Sequence, residues 1–199
     1  MAENRNRDEI QQYVGDMVAL ESHIERAMDG QKRHNVDHPA AAAAILRFHD
    51  MVKLQRDALK AHLDTLGGSE SHPIKEAVST LFGAAAGVID NVRTKAVSKM
   101  LRDDYTAFNH AAIGYSMLHV SAHALGDMQT MEIADRHLRG YARAAQEINQ
   151  LIADVVVWEL EKDGFAAKRE AIEHCAGAIN RAWKETMPDE SPASMKKAA

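Results

Sequence analysis

Residues 102–158 read RDDYTAFNHAAIGYSMLHVSAHALGDMQTMEIADRHLRGYARAAQEINQLIADVVVW, and two long helical patterns meet within them at Leu125-Gly126-Asp127. On both sides of this turn, side chains suited to a core recur at spacings typical of one helix face. They are Leu101, Tyr105, Phe108, Ala112, Tyr115, His119 and Ala122 before the turn, and Ala134, Leu138, Tyr141, Ala145, Ile148, Ile152 and Val155 after it. Gly126 suits a helix end and Asp127 suits the cap of the next helix. We therefore predict a tight turn between two antiparallel helices whose stripes face each other.

The composition indicates a helical protein. Only 5% of the 199 residues are aromatic and four are proline, whereas helix-forming residues are plentiful. No segment alternates as a strand does. A chain of this length forms one sizeable core, so we predict a single domain over residues 1–187 and a mobile tail over 188–199.

The charge and the cysteine content of the chain exclude some classes of partner and of metal site. The net charge is −5 and no cluster of Lys and Arg stands out, which argues against nucleic acid as a partner. The single cysteine excludes a disulfide framework and a multi-thiolate metal site. The polar start, MAENRNRDEI, and the lack of a long apolar run predict a cytoplasmic protein with no membrane association.

The lengths of the connections predict how the helices are joined. A first helix is expected over Asp8–Asp29, a short polar connection over 30–38, and a second helix from Pro39 to about Leu66. Residues 67–97 form a long connection that contains a helical run, and a further amphipathic helix follows Gly164. A ferritin-like bundle has a short connection between helices one and two, a long one between two and three, and a short one between three and four. We therefore predict an all-α, ferritin-like four-helix bundle with a helical crossover between helices two and three and an extra C-terminal helix.

Glu21 is the one charged residue on the inner stripe of the first helix. The other members of that stripe are apolar: Ile10, Val14, Met17, Ile24 and Met28. A carboxylate in such a place must be paired, protonated or bound to a metal. In an antiparallel hairpin His49 and Asp50 lie at a similar height on helix two, while helices three and four offer His110 and Glu147. If a metal is bound, these five residues are its candidate ligands.

The chain lacks the ligand motif of a ferritin-like two-metal site. That site uses Glu-x-x-His on two helices and Glu on the other two, and Glu-x-x-His occurs nowhere in this sequence. An ion pair with Lys53 or His49, or a hydrogen bond to Tyr141, would satisfy Glu21 without a metal.

Three segments carry a resemblance to a known family. YVGDMVALESHIERAM (13–28), LDTLGG (63–68) and AAIGYSMLHVSAHALGD (111–127) resemble the bacterial stress-response ferritin-like proteins of the YciE/YciF type, over roughly residues 10 to 160. The resemblance implies metal ligands at Glu21, near His49 or Asp50, near 53–55, near His110 or Ala111, and at Tyr141. Only Glu21 matches, so the metal site is degenerate. A Lys53 that faces inward would neutralise Glu21 in place of a cation.

Three functions compete. The first is a bundle that has lost its metal and acts as a non-enzymatic oligomeric or interaction protein, with no cofactor. The alternative is a protein that holds iron or manganese through Glu21 and His49 in oxidative-stress or metal handling. A haemerythrin-like oxygen carrier is disfavoured because His49 is followed at i+4 by Lys53 and not by a bridging Glu. We assign no catalytic residue.

Other residues give secondary expectations. His119 and His123 are one turn apart, and with His62 and His137 they define a possible second metal cluster. Cys175 lies on the apolar face of its helix and is expected to be inert core. Helix three carries a second apolar stripe of Ile113, Met117, Val120 and Ala124, which predicts a homodimer or higher oligomer unless the crossover or the fifth helix covers it.

Overall fold

The computed structural model describes residues 2–34, 36–68 and 96–185, and the regular secondary structure in these ranges is entirely α-helical. The helices are α1 (Ala2–Lys32), α2 (Pro39–Thr65), α3 (Val97–Leu125), α4 (Met128–Lys162) and α5 (Glu170–Glu185). The predicted all-α class is confirmed. The first helix is longer than predicted at both ends, since the polar residues that flank its apolar stripe continue the helix.

The turn between α3 and α4 has the predicted form. Gly126 has φ of 84°, a backbone conformation that a glycine adopts without strain, and ends α3. The Asp127 side chain accepts a 2.9 Å hydrogen bond from the Thr130 N–H and caps α4. The two helices run antiparallel and share the most extensive helix contact among the described residues.

Four helices form a bundle in which all neighbours are antiparallel. α1 packs against α2 and α3, and α4 packs against the same two helices. Arg7, near the start of α1, bonds to carbonyls at the end of α2, while Gln31, near the end of α1, bonds to Asp104 near the start of α3. The end of α2 and the start of α3 therefore lie at opposite ends of the bundle. This confirms the bundle and is the arrangement that the short, long, short connectivity predicts; the crossover itself falls largely on 69–95, outside the described residues.

The core lies where the stripes predicted it. All six residues of the α1 stripe, Glu21 included, are buried, as are Ile45, Phe48, Val52, Leu59 and Leu63 on α2. Phe108 stands edge-on to Phe48, with 5.3 Å between ring centroids, and joins α3 to α2 across the bundle. Burial of these side chains supplies most of the driving force for the fold.

The fifth helix departs from the prediction. α5 contacts α4, but none of its residues is buried, and Cys175 is exposed. The expectation that Cys175 is inert core is therefore wrong, because α4, the described helix against which α5 mainly packs, leaves the apolar stripe of α5 only partly covered. Residues 188–199, predicted as a mobile tail, lie outside the described ranges.

None of the described helices is long and apolar enough to cross a membrane.

Candidate functional site: a buried glutamate network

Glu21 lies in the middle of α1 and is fully buried, with 0% of its surface exposed. Its place on the helix follows from the periodicity of the stripe, since Met17 and Ile24 lie about one turn before and after it on the same inner face. The side chain is therefore held in the bundle interior by the packing of its neighbours.

Two tyrosines from different helices donate hydrogen bonds to the same oxygen of Glu21. The Tyr115 hydroxyl of α3 lies 2.5 Å from Glu21 Oε1, and the Tyr141 hydroxyl of α4 lies 3.2 Å from it. The two rings stack, with centroids 5.8 Å apart. Burial raises the pKa of both phenols well above the ordinary value, and the Glu21 charge raises the pKa of each further. Both hydroxyls therefore keep their protons and act as donors.

His137 of α4 completes the network. Its Nδ1 lies 3.0 Å from the Tyr115 hydroxyl oxygen and 3.6 Å from Glu21 Oε1. The single proton of Tyr115 points to the nearer carboxylate, so the histidine must supply the proton for its own bond to Tyr115. This geometry assigns the Nδ1–H form to His137.

Gln55 reaches the same region from α2, the remaining helix of the bundle. Its Nε2 approaches the backbone carbonyl of His137 at 3.5 Å, the outer limit of a hydrogen bond. The approach depends on Gly140, because a side chain there would bring its Cβ within 2.2 Å of the Gln55 amide nitrogen. All four bundle helices thus contribute a residue at this level.

The network leaves one acceptor unused. Glu21 Oε2 is buried and has no hydrogen-bond partner. Gln55 Oε1, which lies outside the hydrogen bonds to Glu21, is also buried and has no partner. An unpaired buried carboxylate oxygen costs free energy. It is the point at which the network can still accept a hydrogen bond.

The other predicted metal ligands lie elsewhere. His49 Nε2 contacts Asp29 at 3.0 Å and His49 Nδ1 contacts Asp50 at 3.2 Å, towards the end of α1. Asp29 is two helical turns beyond Glu21, a separation of about 12 Å along the helix axis. His110 is half-buried on α3, and Glu147 of α4 forms an ion pair with Arg47 at the protein surface.

Of the five candidate ligands, the structure thus brings only His49 and Asp50 together. Across residues 2–34, 36–68 and 96–185, no three His, Cys, Asp or Glu side chains are grouped so that they could hold a metal ion. The residues around Glu21 do not fit a two-metal centre, because it is the one carboxylate in a network whose other members are two phenols and an imidazole.

The predicted partners of Glu21 meet different outcomes. The hydrogen bond from Tyr141 is confirmed. Lys53 is exposed on α2, so the expectation that it neutralises Glu21 is wrong. His49 pairs with Asp29 instead. Lys53 faces outward because it directly follows the fully buried Val52, and successive helix positions point about 100° apart.

The four histidines proposed as a second cluster are divided among different partners. His119 Nδ1 contacts the Met131 carbonyl at 3.2 Å, and His123 is exposed. His62 Nε2 lies 2.7 Å from the Thr130 hydroxyl, which in turn donates to Asp127. Since His137 belongs to the Glu21 network, the four do not form one site, although His62 and His137 line the same surface groove between α2 and α4.

Sequence reasoning did not assign Tyr115 and His137 to Glu21, yet a signal for their pairing exists. Tyr115 stands eleven residues before Gly126 and His137 eleven residues after it. Equal distances from the turn of an antiparallel hairpin place two residues opposite each other, and the rings indeed meet edge-on with centroids 5.1 Å apart.

A second buried carboxylate lies near one end of the bundle. Asp104 of α3 is 4% exposed and accepts a 2.7 Å hydrogen bond from Gln31 Nε2. Burial raises its pKa to about 7; the Gln31 bond lowers that pKa and the neighbouring Asp103 raises it. Its other oxygen, Oδ2, has no partner.

Comparison with known proteins supports the fold. The chain matches no family model, and no match was found among curated proteins. It is similar in structure to a crystallised protein from Xanthomonas campestris pv. campestris, with a TM-score of 0.66, 18% identity and coverage of 81% of this chain and 99% of that one. It is also similar to antigen TpF1 from Treponema pallidum, with a TM-score of 0.60, 16% identity and coverage of 74% and 94%. At these identities the similarity shows a shared fold.

Proposed function

We propose that this protein is a metal-independent relative of the ferritin-like bundle proteins, in which a buried hydrogen-bond network replaces the metal centre and the molecule acts by associating with another protein chain. One observation carries the proposal. Glu21 Oε1, at the position where the resemblance places a metal ligand, accepts hydrogen bonds from both Tyr115 and Tyr141.

The chemistry of the neighbours favours this reading over a metal site. A divalent ion of the iron or manganese type needs several carboxylate or imidazole ligands that point at one position. Here the groups aimed at Glu21 are two phenols whose raised pKa keeps them protonated, and a protonated hydroxyl satisfies a carboxylate as a donor. The hydrogen bonds of the network link α1, α3 and α4 at one level of the bundle, as a bridging metal ion would.

A structural role follows from the burial of the network. Buried polar groups that find partners in one arrangement only can fix the register of packed helices, because any slip would leave a carboxylate unpaired in the core. Glu21, Tyr115 and Tyr141 are each fully buried, so a shift of α1 by one turn would break both hydrogen bonds. We assign no catalytic step to this site.

The alternative is that the protein binds one ion of iron or manganese. The unpaired Glu21 Oε2, with His137 nearby, is the observation in its favour. The alternative requires His137 to lose its Nδ1 proton and to turn from Tyr115 towards an ion.

The metal content of the purified protein distinguishes the metal-independent proposal from the ion-binding alternative. Protein purified without chelators is analysed for iron and manganese, and the Glu21→Gln variant is analysed beside it, with Glu9→Gln, exposed on α1, as a surface carboxylate control. We expect metal far below one ion per chain in all three, and no rise in melting temperature when Fe²⁺ or Mn²⁺ is added, because a ligand that binds only the folded state would stabilise it. Near-stoichiometric metal in the parent that is lost in Glu21→Gln alone would overturn the proposal.

A further inference from the structure

Gln31 and Asp104 form a buried polar pair where the end of α1 meets the start of α3, apart from the Glu21 network. Gln31 Nε2 donates a 2.7 Å hydrogen bond to Asp104 Oδ1. The remaining polar atoms of the two side chains, Gln31 Oε1 and Asp104 Oδ2, are buried and have no hydrogen-bond partner among the described residues. An amide oxygen and a carboxylate oxygen both accept hydrogen bonds. The pair therefore contains two buried acceptors and lacks one donor.

One proton satisfies both of these acceptors. A protonated carboxyl group has an O–H donor on one oxygen, while its other oxygen still accepts. With the proton on Asp104 Oδ2 donated to Gln31 Oε1, the acid and the amide make two parallel hydrogen bonds in a closed ring. The terminal torsions of Gln and Asp side chains are broad, so the two planar groups can align without leaving their rotamers. Because each unpaired buried acceptor costs free energy, the single proton removes two such costs.

We propose that Gln31 and Asp104 are a proton-dependent latch between α1 and α3: two hydrogen bonds join them when Asp104 is protonated, and one joins them when it is ionised. The latch closes when a proton from solvent binds Asp104 Oδ2, and it opens when that proton returns to solvent. Burial raises the pKa of this carboxyl group to about 7, so closing and opening fall near neutral pH. The closed form is favoured below that pH and the open form above it.

The charged groups around the pair are engaged elsewhere. α3 packs against α1 and α4, and it carries Arg102 and Asp103 directly before Asp104. The Arg102 guanidinium is directed to Asp103, whose charge raises the pKa of Asp104 further. Charged side chains at the same end of α1 and α4 also have other partners: Lys32 lies near Asp29 and His49, Glu147 pairs with Arg47, and Asp154 with His38. Within the described residues no hydrogen-bond donor reaches Asp104 Oδ2, so a proton is the group that neutralises it.

The latch acts on the point at which α3 begins. Ala96 gives α3 no side-chain cap, and Glu159 of α4 accepts a 3.0 Å hydrogen bond from the Ser98 N–H instead. Gln31 holds the same region of α3 from the α1 side. Opening the latch leaves the bond to α4 in place and weakens the contact with α1. The contact between α1 and α3 at this end of the bundle is therefore the property that pH controls, and it does not depend on the proposed function.

The sign of the effect of Gln31→Met tests the second hydrogen bond. A single bond from Gln31 Nε2 favours the charged carboxylate, so its loss would raise the Asp104 pKa. The two-bond pair favours the neutral acid, so its loss should lower that pKa by about one unit, the scale of one hydrogen bond. NMR titration of the Asp104 carboxyl carbon in the full chain measures the shift.

Gln12→Met, on the exposed face of α1, is the matched control and should leave the Asp104 pKa unchanged. An Asp104 pKa that is unchanged or raised in Gln31→Met would overturn the latch. A parent protein in which Asp104 titrates at the ordinary value for an aspartate would overturn it as well.

Asp104→Asn provides a second test that does not require Gln31→Met to fold. The Asn amide can both donate to Gln31 Oε1 and accept from Gln31 Nε2, so it should keep the latch closed at every pH. Hydrogen exchange of the backbone amides in the last turn of α1 reports on the contact. We expect parent and variant to exchange alike at about pH 5, and the parent to exchange about tenfold faster at about pH 8, one unit above the pKa of Asp104. Equal exchange at both pH values, or faster exchange in the variant, contradicts the proposal.

Discussion

Two buried carboxylates, Glu21 and Asp104, show how differently one helical bundle treats the same chemical group. Glu21 receives two hydroxyl donors on one oxygen and has an imidazole close by. Asp104 receives a single amide donor and lies close to the like charge of Asp103. A buried charge is tolerated in proportion to the donors that surround it. The middle of the bundle therefore holds a built polar network, while the start of α3 holds a carboxyl group whose pKa is raised to about 7.

The largest expected effect is the pH dependence that Asp104 imposes. Its pKa in the folded state is about 7, above the ordinary value of 3.8, so the folded protein binds the proton more tightly than the unfolded chain does. Stability should therefore fall as pH rises from about 4 to about 7, by up to about 4 kcal/mol in total. Asp104→Asn should lose this dependence while keeping the bond from Gln31. Urea unfolding of both proteins at pH 4 to 8 measures it; a difference in unfolding free energy that does not change with pH would count against the assignment.

The second-largest expected effect on stability comes from removing the shortest hydrogen bond to Glu21. Tyr115→Phe keeps the ring packing but removes the 2.5 Å donor, and it leaves both Glu21 and His137 short of a partner. We expect a loss of about 3 kcal/mol in unfolding free energy, the scale for breaking a buried charged hydrogen bond. Tyr105→Phe, on the half-buried part of the same helix, is the matched control and should cost well under 1 kcal/mol. Equal losses in the two variants would show that the network contributes nothing of its own.

Removing the charge itself should cost less. Glu21→Gln preserves the shape of the side chain but replaces a charged acceptor by a neutral amide, so we expect a loss of about 1 to 3 kcal/mol, with or without added metal. The double variant with Tyr115→Phe should lose less than the sum of the two single losses, because the residues share one interaction. Thermal unfolding of the parent, the two single variants and the double variant gives the double-mutant cycle. Strict additivity would mean that the two side chains do not depend on each other.

The smallest effect belongs to the longer bond. Tyr141 donates to the same oxygen at 3.2 Å, so Tyr141→Phe should cost about 1 kcal/mol, clearly less than Tyr115→Phe. Chemical denaturation of the two variants under one condition gives the ranking. The reverse order would indicate that Tyr141 is the principal donor to Glu21.

The candidate site was predictable only in part. Glu21 stands out in the sequence because a carboxylate interrupts an apolar stripe, and the bond from Tyr141 was among its predicted alternatives. The metal roles of His49, Asp50, His110 and Glu147 stay predictions, and their side chains are engaged at other places in the bundle. Asp104 gave no signal, since it follows the charged pair Arg102 and Asp103 and is not part of the predicted apolar stripe of helix three.

The sequence by itself determined the four helices of the bundle, their buried faces and the turn at Gly126, because these depend on local periodicity and on backbone freedom within a few residues. The tertiary structure decided which side chains meet across the bundle. Periodicity states which way a residue points, but it does not state the height at which neighbouring helices pack. That height arises from the summed packing of all the stripes, and it brings Tyr115 and His137 to Glu21.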